Sequence, residues 1–287
     1  MKTIGLVLSG GGARGAYQVG VLSAIAEISR DLGLAHPFKV YTGVSAGAIN
    51  TAFLAAGSED FYQTTQDLVK MWSQLTTDQV FFTDPVSLGR IGLKWIQELS
   101  VGRFRGNVAD RSLLDTKPLG ELLAHNIDFS QIQRNIDSGK LRAAAVTAMD
   151  YQTSSGVTFV HGVQGIKMWS RPRRHSEKVE IKAEHVMASS AIPLLFPPTQ
   201  VGMAFYGDGC IRNQSPCGPA IDLGAQKLIV IGVRKSADVL ELDIHQPKSE
   251  TLRPPSVARV MNVLLNAVML DGIEVDLERM DYINKIS

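Results

Sequence analysis

The sequence predicts an α/β fold in which a mostly parallel central sheet lies between helices. Buried strands are predicted for four short runs rich in β-branched and aliphatic residues: 3–9, 38–42, 141–148 and 227–233. Helices are predicted for two Ala- and Leu-rich stretches without proline, about 16–30 and 46–56, which follow the first two strands. Alternation of strand and helix is typical of parallel sheets, because a crossover helix returns the chain to the edge where it started.

The remaining predicted elements fit the same fold class. Further helices are predicted for 61–75, 118–125, 181–190 and 218–223, and one long helix, bent near Gly272, for 257–280. Residues 157–161 are predicted to pair with 141–148 as a hairpin. Residues 201–206 are predicted to form a single strand that ends just before Asp208.

A single domain is predicted for 1–287, with a helical insertion or lid at 59–136 and a C-terminal helix at 256–287. The insertion holds an apolar stripe accompanied by basic residues: Leu88, Ile91, Trp95 and Leu99 with Arg90, Lys94, Arg103 and Arg105. Such a stretch can lie at a membrane interface, or it can be an ordinary packed helix or a lid. A second basic stretch, 167–178, is either a solvated loop or a contact for anionic headgroups; it holds Arg171, Arg173, Arg174 and His175.

Composition excludes several classes of protein. Lys and Arg total 29 and Asp and Glu 28, so the charge balance gives no support for nucleic-acid binding. Cys210 and Cys217 lack the spacing of a metal or redox site, and so few thiols suit a reducing compartment. The sequence has no run of about 18 apolar residues that would predict a membrane-spanning helix, and no signal-peptide pattern before the first strand. We therefore expect a cytoplasmic protein, with peripheral contact to a membrane left open.

Residues 43–47, Gly-Val-Ser-Ala-Gly, lie between a predicted strand and a predicted helix. In that context the pattern G-x-S-x-G indicates a nucleophile elbow rather than an ordinary turn. Gly43 and Gly47 have no Cβ atom, so the helix can fold back closely over the strand. Ser45 would lie at the apex, where the N–H groups of the helix N-terminus favour a developing negative charge. We therefore predict that Ser45 is a catalytic nucleophile.

Residues 10–15, Gly-Gly-Gly-Ala-Arg-Gly, join the first strand to the first helix and present backbone N–H groups to an anion. A dinucleotide fingerprint would use Gly10, Gly12 and Gly15. That fingerprint needs an acidic residue about 20 positions further on, near the end of the next strand, and the sequence has none there. An oxyanion hole would use the N–H groups of Gly11 and Gly12, since both loops would open at the same carboxyl edge of the sheet. We favour the oxyanion hole, with Arg14 either bracing the loop or lying as a solvated charge.

A serine hydroxyl needs a base to take its proton. The downstream histidines are His125, His161, His175, His185 and His245. None has the context of a strand-end loop, although His245 is the best placed of them. Ser45 also follows only two strands, which does not fit the chain order of an α/β-hydrolase triad. Asp208 is the better candidate, because it ends a predicted strand and its flanking Gly207 and Gly209 let another loop approach closely.

Together these motifs resemble those of the patatin-like phospholipase family, in a bacterial form. The resemblance rests on SGGGARGAYQVGVL at 9–22, GVSAG at 43–47 and the Asp-Gly-Cys tripeptide at 208–210, with ASSAIPLLFPP at 188–198 and RNQSP at 212–216. It covers about residues 2–233 and implies a patatin-like three-layer sandwich. It also implies hydrolysis of a phospholipid or another lipid ester, of the phospholipase A or lysophospholipase type, without a cofactor or a catalytic metal.

The resemblance further implies the roles of single residues. Ser45 would attack the ester carbonyl and Asp208 would act as general base, without a histidine. The oxyanion hole would comprise Gly11, Gly12 and Arg14. The motif glycines are Gly10, Gly15, Gly43, Gly47 and Gly209. The one departure is Cys210, where the family usually has Gly or Ala; cysteine is still small and often packs as an apolar residue.

Three alternatives stay open at this point. A nucleotide-dependent oxidoreductase would rest on the glycine-rich loop, and the missing ribose-binding acid argues against it. A non-catalytic lipid- or partner-binding module would keep the fold alone, and the intact Ser45 and Asp208 argue against that. A soluble carboxylesterase with a Ser–His–Asp triad is the main alternative among enzymes.

Overall fold

The computed structural model describes residues 2–82, 114–213, 215–233, 260, 263 and 272–286. In that part of the chain the strands are β1 (Ile4–Leu8), β2 (Val40–Val44), β3 (Ala143–Asp150), β4 (Ser155–Gly162), β5 (Ser170–Arg171), β6 (Arg174–Lys178), β7 (Thr199–Val201), β8 (Ala204–Asp208) and β9 (Lys227–Ile231). The α-helices are α1 (Gly15–Asp31), α2 (Ala46–Ala56), α3 (Phe61–Ser73), α4 (Lys117–Asn126), α5 (Ser130–Asp137), α6 (Ala183–Ser190), α7 (Gly218–Asp222) and α8 (Gly272–Ile286). Short 3-10 turns lie at Gly12–Arg14, Thr77–Gln79 and Gly209–Ile211.

All of these strands belong to one mixed sheet, in the order β5-β6-β4-β3-β2-β1-β9. Its centre is parallel, because β1 pairs in parallel with β2 and β9, and β2 pairs in parallel with β3. Strand β4 runs antiparallel to β3, and the β7–β8 hairpin joins β3 through β8. The predicted α/β fold class, a central sheet with a parallel core flanked by helices, is confirmed.

Alternating side chains of the central strands enter two separate cores. Leu6, Leu8 and Tyr41 pack in the larger core with α1, α2 and α6, whereas Val7 and Val40 pack in a smaller core with α7. This alternation follows from the two-residue period of a strand. Because both faces are covered, the strands carry near-continuous apolar sequences, which is the pattern that predicted them.

Three details of the predicted elements are wrong. Residues 201–206 form a hairpin rather than one strand, because Gly202 takes a positive φ of 59° and turns the chain between β7 and β8. Residues 167–178 are not a solvated loop throughout, since they contain β5 and β6, and β6 extends the sheet beside β4. Strand β9 is not fully buried, because it lies at the sheet edge and, of its five residues, only Ile231 is buried.

The flanks of the predicted insertion belong to the main body of the protein. Phe61 and Leu68 of α3, Leu123 of α4 and Ile132 of α5 pack in the larger core. Residues 83–113 lie outside the described residues, and with them the whole apolar and basic stripe. A lid role for that segment and a single domain over 1–287 stay predictions.

The C-terminal helix is described from Gly272 onward, so the predicted bend near that residue stays a prediction. Asp276 attaches α8 to the segment that follows Asp208. Its carboxylate accepts hydrogen bonds from the Ser215 hydroxyl at 3.1 Å and from the Cys217 N–H at 2.9 Å. This buried carboxylate ties α8 to the 215–217 segment of the main body.

Candidate active site

The register of the sheet brings Ser45 and Asp208 to the same place. Strand β2 ends at Val44, which lies opposite Thr147 of β3. At the next position along β3, Ala148 lies opposite Asp208 of β8 instead. Strands β2 and β8 therefore use the same edge of β3 in succession and meet head to head. The residue that follows β2 is Ser45, so the ends of the two strands bring Ser45 and Asp208 together.

Ser45 has the backbone conformation of a sharp strand-to-helix turn. Its φ of 56° and ψ of −127° are unusual for a residue with a side chain and cost about 1–3 kcal/mol. The neighbouring glycines are required by space: a Cβ on Gly47 would overlap the Leu8 carbonyl, and one on Gly43 would overlap the Gly47 carbonyl. The G-x-S-x-G pattern thus lets α2 begin directly against the ends of β1 and β2, with Ser45 at the apex.

Asp208 is completely buried at the end of β8. Its Oδ1 atom accepts the Cys210 N–H at 2.9 Å, which closes the 3-10 turn Gly209–Ile211. Its Oδ2 atom has no hydrogen bond of ordinary geometry within the described residues. A Cβ on Gly209 would overlap the Thr147 carbonyl, so only glycine lets this turn lie against β3. The arrangement leaves one carboxylate oxygen unused and aims the turn at the end of β2.

Burial raises the pKa of the Asp208 carboxyl to about 6. The Ser45 hydroxyl and the Cys210 N–H act in the opposite direction, because both stabilise the charged form. Ser45 therefore lies near enough to Asp208 to influence its ionisation, even though the Oδ2 atom forms no well-oriented hydrogen bond. A carboxylate with a pKa near 6 is a stronger base than an exposed aspartate and is still ionised at neutral pH.

The glycine-rich loop meets Ser45 and the turn that follows Asp208 at Gly10. A Cβ on Gly10 would lie 3.0 Å from the Ser45 Cβ atom and would overlap the Cys210 sulfur. Gly12 takes a positive φ of 56°, and the Arg14 N–H donates to the Gly11 carbonyl at 3.2 Å. Neither the Gly11 N–H nor the Gly12 N–H donates to another backbone carbonyl among the described residues. These two donors are therefore available, whereas the Arg14 N–H closes the turn.

Cys210 fills the gap between the glycine-rich loop and the Asp208 turn. Burial, and then the neighbouring Asp208 carboxylate, hold the pKa of its thiol well above the usual range. The thiol is therefore neutral at physiological pH and is a poor nucleophile. The departure from Gly or Ala is accommodated because Gly10, which the sulfur contacts, has no side chain.

The described histidines that follow Ser45 in the sequence lie elsewhere. His161 lies opposite Ala144 near the start of β3, and its ring nitrogens are occupied by Gln133 at 2.8 Å and by the Ile181 N–H at 3.2 Å. His185 accepts the Lys182 N–H at 3.0 Å and packs against Phe159. His175 lies 3.2 Å from Glu177. His125 is in the last turn of α4, and His245 lies outside the described residues.

Sequence reasoning assigned no role to residues 189–191, although they contact both Ser45 and Asp208. The Ser189 and Ser190 hydroxyls bond the Ser45 backbone, and the Ala191 carbonyl accepts the Asp208 N–H. The available signal was a Ser-Ser pair at the end of a predicted helix, three residues before Pro193. A polar pair at a helix end is common, so the pattern alone did not point to the site.

The described residues show neither a metal site nor a membrane-spanning helix. They contain no group of three or more His, Cys, Asp or Glu side chains arranged to hold a metal ion. None of their helices combines the length and the apolar character needed to cross a bilayer.

The chain matches one family model and is similar to several solved structures. A family model described as patatin-like phospholipase matches residues 6–221. No curated protein matches the chain significantly. Similar solved structures include VipD from Legionella pneumophila, at 19% identity and a TM-score of 0.40, over 73% of this chain and 46% of that one.

Two further solved structures are similar over 55% of this chain. Human GIVD cytosolic phospholipase A2 has 17% identity and a TM-score of 0.34, with 22% of its own chain covered. ExoU of Pseudomonas aeruginosa, in its complex with SpcU, has 18% identity and a TM-score of 0.27, with 33% of its chain covered. The chain thus spans less than half the length of each of these three structures.

Proposed function

The chain belongs to the patatin-like phospholipase family, and from this premise we propose that it hydrolyses lipid acyl esters with Ser45 as nucleophile and Asp208 as general base. The substrate would be a phospholipid or another lipid ester, cleaved in the manner of a phospholipase A or a lysophospholipase. The strongest support is that three motifs far apart in the chain meet at one point. Gly10 of the first motif contacts both Ser45 of the second and Cys210 of the third.

The proposed reaction begins with proton transfer from the Ser45 hydroxyl to the unused Oδ2 atom of Asp208. The serine oxygen attacks the ester carbonyl carbon, and the resulting oxyanion accepts hydrogen bonds from the Gly11 and Gly12 N–H groups. The carbon–oxygen bond to the alcohol then breaks, and that alcohol takes the proton from Asp208. The acyl group is left on Ser45.

The second half of the reaction repeats these steps with water. Asp208 takes a proton from a water molecule, the hydroxide attacks the acyl carbon, and the same N–H groups stabilise the second oxyanion. Release of the fatty acid returns the proton to Ser45. In this scheme Arg14 supports the oxyanion hole indirectly, because its N–H holds the loop closed at Gly11.

A Ser–His–Asp carboxylesterase is less well supported. His161 and His185 have ring nitrogens engaged by other groups. His161 also lies beside the start of β3, whereas Ser45 lies near its carboxyl end. Burial lowers the pKa of both imidazoles, so their positions suit neutral, structural side chains. A non-catalytic lipid-binding module would have no need for the conformation of Ser45, which costs free energy.

The decisive experiment is Ser45→Ala, tested against a panel of phospholipids, lysophospholipids and neutral acylglycerols with products measured by mass spectrometry. Loss of a nucleophile that acts together with its base costs on the order of 10⁶ in rate, so hydrolysis should become undetectable. A fluorophosphonate probe should label wild type and not the variant.

Ser58→Ala is the matched control, because Ser58 is a buried serine just beyond the same helix, bonds the Leu54 and Ala55 carbonyls and has no contact with Ser45 or Asp208 among the described hydrogen bonds. It should keep both labelling and hydrolysis. Wild-type hydrolysis by folded Ser45→Ala would rule out Ser45 as the nucleophile.

We further propose that the protein works at a membrane surface by peripheral contact. The stripe expected to make that contact lies in 83–113, outside the described residues. Among the described residues, two turns at the carboxyl edge of the sheet suit such contact. The β7–β8 turn extends past Asp150 and carries Met203, whose side chain is 94% exposed. The β5–β6 turn carries Arg173, which is exposed at the same edge.

The chemistry of these turns suits anionic lipid. Arg171 already pairs with Asp222 at 2.6 Å, whereas Arg173 and Arg174 have no ion pair within the described residues. An exposed methionine and unpaired arginines on two turns at the same end of the strands provide apolar insertion together with attraction to anionic headgroups. Strand β8 begins one residue after Met203 and ends at Asp208. Contact of this turn with a membrane would therefore place lipid near the candidate site.

A further inference from the structure

Three consecutive residues at the end of α6 bind the backbone of both proposed catalytic residues. The Ser45 N–H donates to the Ser189 hydroxyl at 3.0 Å, and the Ser190 hydroxyl donates to the Ser45 carbonyl at 3.1 Å. The Ala191 carbonyl accepts the Asp208 N–H at 2.8 Å. One short segment therefore contacts Ser45 on both of its peptide groups and Asp208 on one.

The Ser189 hydroxyl joins two strand ends as well. While it accepts the Ser45 N–H, it donates to the Thr147 carbonyl of β3 at 2.6 Å. Strand β2 stops at Val44, so this hydroxyl stands between the Ser45 N–H and the neighbouring strand where direct pairing has ended. Ser189 is fully buried, and water cannot replace its two hydrogen bonds without opening the core.

Resting on the proposed function, we propose that Ser189 and Ser190 are positioning residues that hold Ser45 in its reactive conformation and set its place relative to Asp208. The backbone of Ser45 has a positive φ, and such a conformation persists only where its surroundings over-determine it. The two hydroxyls are well suited to this, because they bind the groups on either side of the strained Cα. Ala191 extends the same rigid segment to the base.

Ser189 should contribute more than Ser190 to holding the Ser45 backbone. The Ser45 carbonyl also accepts the Ala48 N–H at 2.8 Å, so it keeps a partner when the Ser190 hydroxyl is removed. The only described partner of the Ser45 N–H is the Ser189 hydroxyl. Loss of Ser189 leaves this N–H and the Thr147 carbonyl without their shared partner, and Ser45 can then shift.

The test compares Ser189→Ala and Ser190→Ala with wild type on a soluble short-chain ester, with kcat expressed per fluorophosphonate-reactive site so that only folded enzyme counts. A displacement of about 1 Å in a reacting group can cost about 100-fold. We expect kcat to fall about 10- to 100-fold in Ser189→Ala and about 3- to 10-fold in Ser190→Ala, with KM within about twofold. Fluorophosphonate labelling of Ser45 should slow in the same order.

Ser58→Ala again separates positioning from general destabilisation. It removes hydrogen bonds from a buried serine hydroxyl to backbone carbonyls at the other end of α2. It should lower the melting temperature without lowering kcat. Ser189→Thr, which keeps the hydroxyl, should recover part of the lost kcat relative to Ser189→Ala. Wild-type kcat in Ser189→Ala, or an equal loss in Ser58→Ala, would overturn the proposal.

A measurement that does not depend on catalysis tests this proposal separately from the proposed function. Hydrogen exchange of a peptide covering residues 43–48 should be at least 10-fold faster in Ser189→Ala, because the Ser45 N–H has lost its acceptor. Unchanged exchange would overturn the positioning role even if activity fell. Hydrolysis that survives in Ser45→Ala would instead refute the proposed function. The exchange rate of residues 43–48 would then still show whether Ser189 holds the Ser45 backbone.

Discussion

At the scale of single residues, the site depends on an aspartate whose two oxygens have different tasks. Oδ1 of Asp208 closes the turn by accepting the Cys210 N–H, whereas Oδ2 has no such bond among the described residues and is the atom that accepts the serine proton in the proposed reaction. Burial raises the pKa of this carboxyl to about 6, so it loses its charge at a higher pH than an exposed aspartate. The pH dependence of hydrolysis should report that value directly.

Activity should fall on the acid side, because a protonated Asp208 cannot accept the serine proton. We expect kcat/KM to decrease about tenfold per pH unit below about 6 and to be level above it. Asp208→Asn keeps the shape and the Oδ1 acceptor but removes the base, and should lower kcat by about 10²–10⁴ at every pH. A pH–rate series on wild type and variant checks both statements.

His125→Ala and His175→Ala are the controls for that series. The His125 side chain is exposed and the His175 side chain is partly exposed, and neither contacts Ser45 or Asp208 among the described interactions, so their removal should leave most activity and the acid limb in place. His245→Ala belongs with them, since the dyad needs no histidine. A histidine variant as inactive as Ser45→Ala, together with an active Asp208→Asn, would exclude the dyad.

At the scale of elements, one series of hydrogen-bonded polar side chains links the helices that flank the site. The Trp72 indole of α3 donates to the Asn50 side chain of α2 at 2.7 Å, and Asn50 donates to Gln18 of α1 at 3.0 Å. Gln18 in turn donates to the carbonyls of Ser9 and Ile231 at 2.8 Å and 3.1 Å. This series of hydrogen bonds therefore connects α3, α2 and α1 to the ends of β1 and β9, directly beside the glycine-rich loop.

Asn50→Ala should be strongly destabilising for its size. It leaves the Trp72 N–H and the Gln18 carbonyl oxygen buried without partners, which costs about 2–4 kcal/mol in the free energy of unfolding. Chemical denaturation monitored by circular dichroism measures this loss. Gln63→Ala on the exposed face of α3 removes a similar amide contact with Asp67 and should change stability by less than about 0.5 kcal/mol. Equal effects of the two substitutions would contradict a special role for this series of hydrogen bonds.

At the scale of the whole molecule, exposed apolar residues lie both near the candidate site and far from it. The carboxyl edge holds Ser45, Asp208 and the two turns with Met203 and Arg173. The far end of α1 presents Leu32, which is 68% exposed and therefore offers an apolar residue distant from the site. Exposed apolar residues at both ends allow a direct test of which end contacts lipid.

Met203→Glu should weaken binding to vesicles rich in phosphatidylglycerol about tenfold, because it replaces an inserted apolar side chain with a charge repelled by the surface. Leu32→Glu, the same type of change at the other end, should have little effect. Vesicle flotation in a Ser45→Ala background measures binding without hydrolysis, and hydrolysis of a soluble ester should be unchanged in both variants. Equal binding by the two glutamate variants would argue against contact at the carboxyl edge.

Much of the fold and several residues of the candidate site were predictable because their signals are local. Strand and helix runs show the alternation of an α/β fold, and G-x-S-x-G between a strand and a helix shows where a nucleophile can be exposed. The hairpin at Gly202 was missed because a glycine inside a β-rich run also suits an uninterrupted strand. The strands at Ser170–Arg171 and Arg174–Lys178 were missed because charged side chains at a sheet edge resemble a solvated loop.

The sequence by itself determined the residue types of the site: a serine at a tight turn, an aspartate between glycines, and a loop of free N–H groups. Each of these needs glycine at fixed spacing, and such spacing can be read along the chain. Only the tertiary structure decided that β2 and β8 meet on one edge of β3, and that Ser189 and Ser190 hold Ser45. The two serine contacts join residues 144 and 145 positions apart. Both arrangements depend on sheet register, which no local pattern specifies.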